Sequence, residues 1–224
     1  MLGNLFANTI IGKIQKIDND FAYVEILPSV NVKDLNLGVF VLKNVGDNSS
    51  IVARGSFVNI DNNIAKFELY TFSDLKQSAL PIPVIMPSVD DDVILNNFID
   101  KTILIAPNKE KYENTMIRYN NFDFINPNIL AAKIYKDSQL LPTRNDFRDF
   151  CKTWAIGSVM IVLKDRISLY ECSSLKLITD LEINIDNNSI ENLNFYSDVA
   201  KNLGEKINYF DYYTKIFNKI KSGE

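Results

Sequence analysis

The sequence predicts a small N-terminal antiparallel β-barrel, residues 1–78, followed by a mixed α+β domain with two C-terminal helices, residues 79–224. Three observations support this fold class. Short segments of alternating hydrophobicity, separated by polar turns, fill roughly the first third of the chain. An apolar connector containing prolines, residues 80–87, ends them, because proline excludes both helix and central strand. Helical and strand patterns then follow one another to the C-terminus.

The predicted barrel consists of strands in which large β-forming residues alternate with small or charged ones. One face can therefore fill an interior while the other meets solvent. Turn-forming residues, such as Asp18, Asn19 and Asp20, separate the strands. Glycines lie within or at the start of these strands, where a small barrel needs bends. The predicted strands are residues 10–17, 21–26, 38–42, 51–58 and 64–72.

The first four strands carry short motifs in a fixed order. They are Ile11-Gly12-Lys13-Ile14, Phe21-Ala22-Tyr23-Val24-Glu25-Ile26, Leu37-Gly38-Val39-Phe40-Val41 and Ile51-Val52-Ala53-Arg54. This order resembles the HAS-barrel, the N-terminal β-barrel of HerA-type DNA translocases and rotary ATP synthase subunits. The resemblance implies that the barrel contacts an ATPase or another subunit of a DNA-processing assembly. The sequence contains no Gly-x-x-x-x-Gly-Lys-Ser/Thr phosphate loop, so ATP-driven translocation is not expected.

A run of acidic residues follows the connector. Ser88 precedes Asp90, Asp91 and Asp92, a pattern that predicts a helix start, with Ser88 as the N-cap and the carboxylates near exposed backbone N–H groups. The alternative is a metal site in which Asp90 and Asp92 bind Mg²⁺ or Mn²⁺. Consecutive side chains point in different directions, which favours the helix start.

Residues 101–106 read as a buried strand, and the polar, aromatic segment 108–128 that follows reads as a loop. In this segment cations and rings are interleaved, so bases could stack on the rings while the cations held phosphates. The candidate nucleic-acid-binding residues are Lys111, Tyr112, Arg118 and Tyr119. The alternative is that the rings pack onto the core and the charges are solvated.

Two helices and a three-stranded meander are predicted next. The first helix begins at Pro127, and Thr143 caps a second one that ends near Trp154, the only tryptophan, interpreted as a core anchor. Cys151 and Cys172 are interpreted as two thiols that act as small hydrophobic residues, although a pairing between them is geometrically allowed. The predicted meander strands are residues 158–163, 167–172 and 175–185.

The two predicted C-terminal helices cover residues 189–203 and 206–221. The second carries an apolar stripe wider than one core contact needs. We therefore hypothesise that part of the stripe binds another chain, with simple packing onto the α+β domain as the alternative. The candidate partner-binding residues are Phe210, Tyr213, Phe217 and Ile220.

Composition argues against most catalytic chemistry. The 224 residues include no histidine, which removes the usual general base near neutral pH. A net charge of −4 disfavours broad binding of a phosphate backbone. A non-catalytic role is therefore favoured over an enzyme, the question stays open at this point, and no cofactor is expected.

The leading functional hypothesis is a non-catalytic interaction module or accessory subunit, possibly of a HerA-like DNA-processing ATPase assembly. A single-stranded nucleic-acid-binding protein is the alternative, and a metal-dependent nuclease the second alternative. The expected partner is another protein, either an ATPase subunit or a second copy of the chain, with nucleic acid as an open option. No membrane contact is expected because no apolar run reaches the roughly 20 residues that a span requires, and the expected location is cytoplasmic.

Overall fold

The computed structural model of the chain describes residues 10–45, 48–72, 85–96, 98–137, 141–183, 194–199 and 208–218. The chain divides into two compact units, Met1–Asn97 and Phe98–Glu224. The first contains a closed barrel and the second a five-stranded mixed sheet with helices. This architecture confirms the predicted fold class, a β-barrel followed by an α+β arrangement. The predicted boundary at residues 78 and 79 lies outside the described residues and stays a prediction.

The barrel contains all five predicted strands and a sixth one. The strands are β1 (Ile10–Asp18), β2 (Phe21–Ile26), β3 (Val39–Val45), β4 (Asn48–Asp61), β5 (Ile64–Thr71) and β6 (Asp92–Leu95). They close in the order β1-β2-β5-β4-β3-β6, and every pair is antiparallel. Closure leaves no unpaired sheet edge, which is how small antiparallel barrels satisfy their backbone groups.

The interior of the barrel follows from the alternation in its strands. In β2, Ala22, Val24 and Ile26 are buried, whereas Tyr23 and Glu25 between them face outwards. Gly12 in β1 permits a close backbone approach, because a Cβ atom there would collide with the carbonyl oxygen of Glu25. The buried interior residues are Ile11, Ile14, Ala22, Val24, Ile26, Leu35, Val39, Val41, Val52, Ala53, Ala65, Phe67, Val93 and Leu95.

The predicted helix start at Ser88 is wrong, because the residues after it form strand β6. The amide of Asp91 donates to the carbonyl of Ser88 at 3.3 Å, and Asp90 adopts a positive φ of 71°. This turn leads β6 between β1 and β3, where Val93 pairs with Gly12 on one side and with Val41 on the other. Pairing on both sides satisfies the backbone N–H and C=O groups of this apolar segment inside the barrel wall.

The second unit is built on a mixed sheet. Its strands are β7 (Lys101–Ile105), β8 (Asp123–Ile125), β9 (Ser158–Val162), β10 (Arg166–Glu171) and β11 (Leu177–Ile183). Its helices are α1 (Lys109–Arg118), α2 (Pro127–Lys136), α3 (Arg144–Trp154) and α4 (Tyr209–Asn218). The strand order is β11-β10-β9-β7-β8, with β7 parallel to β8 and β9 and the predicted meander antiparallel.

The interpretation of residues 108–128 as a loop is wrong, because they form α1 and β8. The side chain of Asn108 caps the helix by accepting from the amide of Lys111 at 2.9 Å. Tyr112 and Thr115, spaced one helical turn apart, are the buried residues of α1. The helix has only a narrow apolar stripe, so the surrounding charges hid it from a reading of hydrophobic periodicity.

Helices cover both faces of the sheet. Helices α2, α3 and α4 share one core with residues such as Ile103 and Ile161, and α1 shares the other with residues such as Leu104 and Met160. The predicted helices that begin at Pro127 and end near Trp154 are confirmed as α2 and α3. Helix α4 lies within the predicted segment 206–221. The described part of the predicted helix 189–203, residues 194–199, is not helical.

Two interpretations of single residues in this unit are wrong. Cys151 and Cys172 form a disulfide, with their Cα atoms 5.8 Å apart, and are not free thiols. Both are buried, because α3 lies directly on the end of β10. Trp154 is 42% exposed and is not a core anchor, since α3 ends at this residue; its ring centre lies 6.2 Å from that of Phe150. Among the described residues no helix is long and apolar enough to cross a membrane.

Candidate functional site

The predicted metal ligands Asp90 and Asp92 both contact Lys13, Asp92 through its carboxylate and Asp90 through its backbone carbonyl. Asp92 forms an ion pair with Lys13 at 2.8 Å and accepts from the Asn44 side chain at 3.2 Å. The carbonyl of Asp90 accepts from Lys13 at 3.3 Å. Within the described part of the chain no group of three or more Asp, Glu, Cys or His side chains is arranged to hold a metal ion. These aspartates therefore tie β6 to its neighbours in the barrel.

The pKa of Lys13 is raised by its contacts with this acidic turn. The hydrogen bond and the charge of Asp92 are the largest causes, and the charges of Asp90 and Asp91 add to them. Asp91 is buried and pairs with Lys43 at 3.0 Å while accepting from the backbone amide of Ser88 at 2.8 Å. The turn is thus a small ionic network at the point where the barrel closes.

An open pocket of about 510 Å³ lies beside α1 in the second unit. Residues of α1 form its wall, and Val162 of β9 and Ile167 of β10 form an apolar floor. Ile117 stands on the wall and is 74% exposed, an unusually large exposure for an aliphatic side chain. The lining residues are Lys111, Asn114, Thr115, Ile117, Arg118, Val162 and Ile167. The arrangement offers cationic groups above an apolar surface, a combination common in protein interfaces.

The structure separates the four residues predicted to bind nucleic acid. Lys111 and Arg118 line the pocket, whereas the Tyr112 ring is buried and lies 5.1 Å from the ring of Tyr196. Desolvation, with a smaller contribution from Tyr196, raises the pKa of Tyr112 to about 12. Tyr119 also packs against the core beneath α1. The rings do not form a stacking platform above the cations; they pack against the core, which was the alternative to nucleic-acid binding.

The carboxyl edge of β7 is covered by the chain itself. Open α/β sheets bind ligands at the carboxyl ends of neighbouring strands whose following helices pack on opposite faces of the sheet. Here α1 follows β7 and α2 follows β8, and the two helices pack on opposite faces. The amide of Tyr196 donates to the carbonyl of Ala106 at 2.7 Å, and the Tyr209 hydroxyl donates to the carbonyl of Ile105 at 2.9 Å. Residues 194–199 thus occupy the usual ligand position.

The predicted partner-binding stripe of α4 lies in the core. Phe210, Tyr213 and Phe217 are 4%, 0% and 2% exposed. Tyr213 donates to the Asn194 side chain at 3.0 Å, and desolvation raises its pKa well above the ordinary tyrosine value. Ile220 lies outside the described residues. The stripe packs onto its own sheet, which was the alternative to partner binding, and the partner-binding role stays a prediction.

A row of cations and rings on the outside of the barrel was missed by sequence reasoning. Tyr23 in β2 pairs with Lys16 of β1 on one side and with Lys66 of β5 on the other. The outward positions of these residues could be inferred from the alternation of each strand. Their proximity could not, because it depends on the register between strands that are up to 50 residues apart.

The chain is therefore a two-unit protein of the barrel-plus-α/β class, with exposed surfaces that combine cations and apolar side chains. Residues 9–217 match a family model described as "Plasminogen-binding protein pgbA N-terminal". The match covers well over half of the chain and includes residues of both units, so the chain belongs to this family.

Two curated relatives are named plasminogen-binding protein PgbA, and both come from Helicobacter pylori, strains J99 and 26695. They are 26% and 25% identical to this chain over 203 residues. Each alignment covers 85% of this chain and 44% of the relative, so the chain spans less than half the length of the curated relatives it matches.

The family membership overturns the resemblance to the HAS-barrel. The residues that carried the resemblance are short hydrophobic strand motifs, which any small closed barrel can produce. The hypothesis of an accessory subunit for a HerA-like ATPase is wrong for the same reason, and the nucleic-acid-binding and nuclease alternatives are overturned with it.

Proposed function

We propose that this chain is a protein-binding module whose partner is plasminogen. The observation that carries the proposal is the family match over residues 9–217, together with the name of the two curated relatives. The structure is compatible with such a role because the usual ligand position of its sheet is filled by its own residues 194–199.

The pocket beside α1 supports the proposal as one contact surface. Ile117 is the most exposed large apolar side chain among the described residues, at 74%. An exposed aliphatic side chain above an apolar floor loses water-accessible surface when a partner covers it, and such central apolar contacts supply much of the binding free energy. Lys111 and Arg118 lie on either side of it on α1 and form the polar border.

The disulfide supports a location outside a reducing cytosol. Disulfides form and persist in oxidising compartments, and Cys151 and Cys172 are paired in this structure. We infer that the chain meets its partner in such a compartment, in place of the cytoplasmic location expected from the sequence.

Biolayer interferometry with immobilised plasminogen tests the proposal. The wild-type chain is expected to bind saturably, with serum albumin as the negative surface. Ile117→Asp should weaken the affinity by about tenfold, since it removes one central apolar contact. Tyr135→Asp is the matched control, because Tyr135 is a 68% exposed apolar side chain on another helix, α2. Absence of wild-type binding would refute the proposed function. Equal binding by Ile117→Asp and Tyr135→Asp would show that the pocket beside α1 is not part of the binding surface.

A further inference from the structure

The outer surface of the barrel carries a lysine held between two aromatic rings. Lys66 Nζ lies 3.9 Å from the ring centre of Phe21 and 5.7 Å from that of Tyr23. Lys16 Nζ lies 5.4 Å from the same Tyr23 ring on its other side. The pairing of β2 with β1 and β5 places Lys16, Tyr23 and Lys66 in one row across three strands.

Lys66 differs in its partners from three other lysines of the barrel. Lys13, Lys16 and Lys43 each form an ion pair with an aspartate of the barrel. In the part of the chain that the structure describes, Lys66 has no carboxylate within the 4.0 Å that defines an ion pair. Its ammonium group is positioned by the two ring faces, which attract a cation through the negative face of the ring quadrupole.

This arrangement has the properties of a carboxylate-binding site. Ring contact already restricts the Lys66 side chain, so this lysine would lose less side-chain entropy when a partner binds than a freely moving lysine would. The half-buried rings of Phe21 and Tyr23 offer apolar surface next to the charge. A carboxylate with an apolar neighbour in the partner would therefore contact both features together.

Nearby acidic groups restrict the kind of partner. Glu68 pairs with Phe21 across β2 and β5, and Asp18 lies 3.4 Å from Lys16 Nζ. Two cations and two carboxylates on one face give no local excess of positive charge. Polyanions such as nucleic acids and anionic membranes bind where positive charge is in excess, whereas a single carboxylate in a protein segment needs only one ordered cation.

We propose that Lys66, with Phe21 and Tyr23, forms a site for a single carboxylate flanked by apolar side chains on a protein partner. Resting on the proposed function, this partner is plasminogen, and Lys16 supports the site by fixing the Tyr23 ring from its other side. The site is separate from the pocket beside α1, since it lies wholly within the barrel.

An NMR titration with the peptides acetyl-Leu-Glu-Leu-amide and acetyl-Leu-Gln-Leu-amide tests the site without plasminogen. The glutamate peptide should shift the Lys66 side-chain protons and the ring protons of Phe21 and Tyr23, and the glutamine peptide should not. Lys66→Gln should abolish the response. Lys33→Gln is the control, because Lys33 is an exposed lysine of the same unit outside the row.

Plasminogen binding by the same variants completes the test. Lys66→Gln should weaken the affinity about fivefold, the size of one ordered surface charge contact, and Lys33→Gln should leave it unchanged. No response to the glutamate peptide up to about 10 mM, where a millimolar site is nearly saturated, would overturn the site. Equal responses to both peptides, or Lys66-dependent binding to phosphatidylglycerol vesicles without a peptide response, would overturn it too. Failure of the wild-type chain to bind plasminogen would instead refute the proposed function, whatever the peptides show.

Discussion

Asp91 shows how one carboxylate can hold a barrel closed. It is buried, pairs with Lys43 at 3.0 Å and accepts from the amide of Ser88 at 2.8 Å. These contacts fix the turn from which β6 enters between β1 and β3. Local sequence could identify the run of acids, but it could not show that Asp91 pairs with Lys43 while Asp92 pairs with Lys13.

We expect Asp91→Ala to lower the free energy of unfolding by about 1–3 kcal/mol, because it removes a buried carboxylate that pairs with the partly buried Lys43 ammonium group and accepts from the Ser88 amide. Urea denaturation followed by circular dichroism measures the change. Asp20→Ala is the control, since Asp20 is exposed in a barrel turn and should change stability by less than about 0.5 kcal/mol. Equal stability of the two variants would show that the ionic turn does not hold the barrel.

Asp146 gives the chain a pH-dependent contribution to stability. Desolvation acts to raise its pKa, but hydrogen bonds from the side chain and backbone of Thr143, together with the charge of Lys133, lower it overall. The Thr143 amide and hydroxyl donate to Asp146 at 2.7 and 2.6 Å. A carboxylate whose pKa is lower in the folded state stabilises the fold above its unfolded pKa, and this contribution is lost as the pH falls through the folded value.

Asp146→Asn should therefore be less stable than the wild type at pH 7, and the difference should shrink as the pH drops below about 4, the ordinary range of an aspartate. Urea midpoints measured between neutral and acidic pH test this. Asp149→Asn, an exposed position on the same helix, is the control and should follow the wild type throughout. If the urea midpoints of Asp146→Asn and the wild type differed by the same amount at all pH values, the Asp146 carboxylate would not be the source of the pH dependence.

At the scale of elements, α3 is joined to the sheet by a covalent bond as well as by packing. The Cys151–Cys172 disulfide closes a loop with a sequence separation of 21 residues between α3 and the end of β10. Helix α3 also has a full capping box, in which Thr143 and Asp146 each bond the other's backbone. The start of the helix is thus held by local contacts, and its end by the disulfide.

Loss of the disulfide should lower the free energy of unfolding by about 3 kcal/mol, the contribution expected for a loop of this length. Urea unfolding of the wild type with and without a phosphine reductant measures it. The double variant Cys151→Ala/Cys172→Ala should resemble the reduced wild type and should not respond to the reductant. An unchanged midpoint in wild-type protein whose thiols are shown to be free by mass spectrometry would contradict this prediction.

At the scale of the whole molecule, each unit has cores built from its own residues. Among the described residues, the barrel core is formed by residues between Ile11 and Leu95, and the two cores of the second unit by residues between Ile103 and Phe217. A compact unit with its own core can fold alone.

We therefore expect residues 1–97 and 98–224 to unfold cooperatively when produced as separate chains. Residues 1–78 are the informative comparison, because this fragment ends at the boundary predicted from the sequence and lacks β6. Without β6, strands β1 and β3 would each have an unpaired edge, and the fragment should aggregate or remain unfolded. Thermal melts and NMR spectra of the three fragments test this. A folded 1–78 fragment would show that β6 is dispensable for the barrel.

Much of the fold was predictable because its signals are local. Alternating residues in strands such as β2, the Thr143 capping sequence of α3 and the tight turns of the meander depend only on neighbours along the chain. The exceptions were segments in which local and tertiary signals disagree. Helix α1 has too narrow an apolar stripe to be recognised, and β6 follows a sequence that resembles a helix cap.

The candidate sites were less predictable for a physical reason. In the sequence, Tyr112 and Tyr119 lie next to the cations Lys111 and Arg118. An α-helix has 3.6 residues per turn, so residues that are adjacent in sequence point in different directions around the helix axis. Once α1 forms, the rings face the core and the cations line the pocket.

Local signals in the sequence were enough to predict five of the six barrel strands, helices α2 and α3, the meander and the fold class, because hydrophobic period, capping and turn residues act over short distances. The barrel closure by β6, the Cys151–Cys172 pairing and the row formed by Lys16, Tyr23 and Lys66 became visible in the folded chain alone. Each of these depends on the register or packing of segments far apart in the chain. Such contacts form only when the whole fold brings the segments together, and no local pattern specifies them.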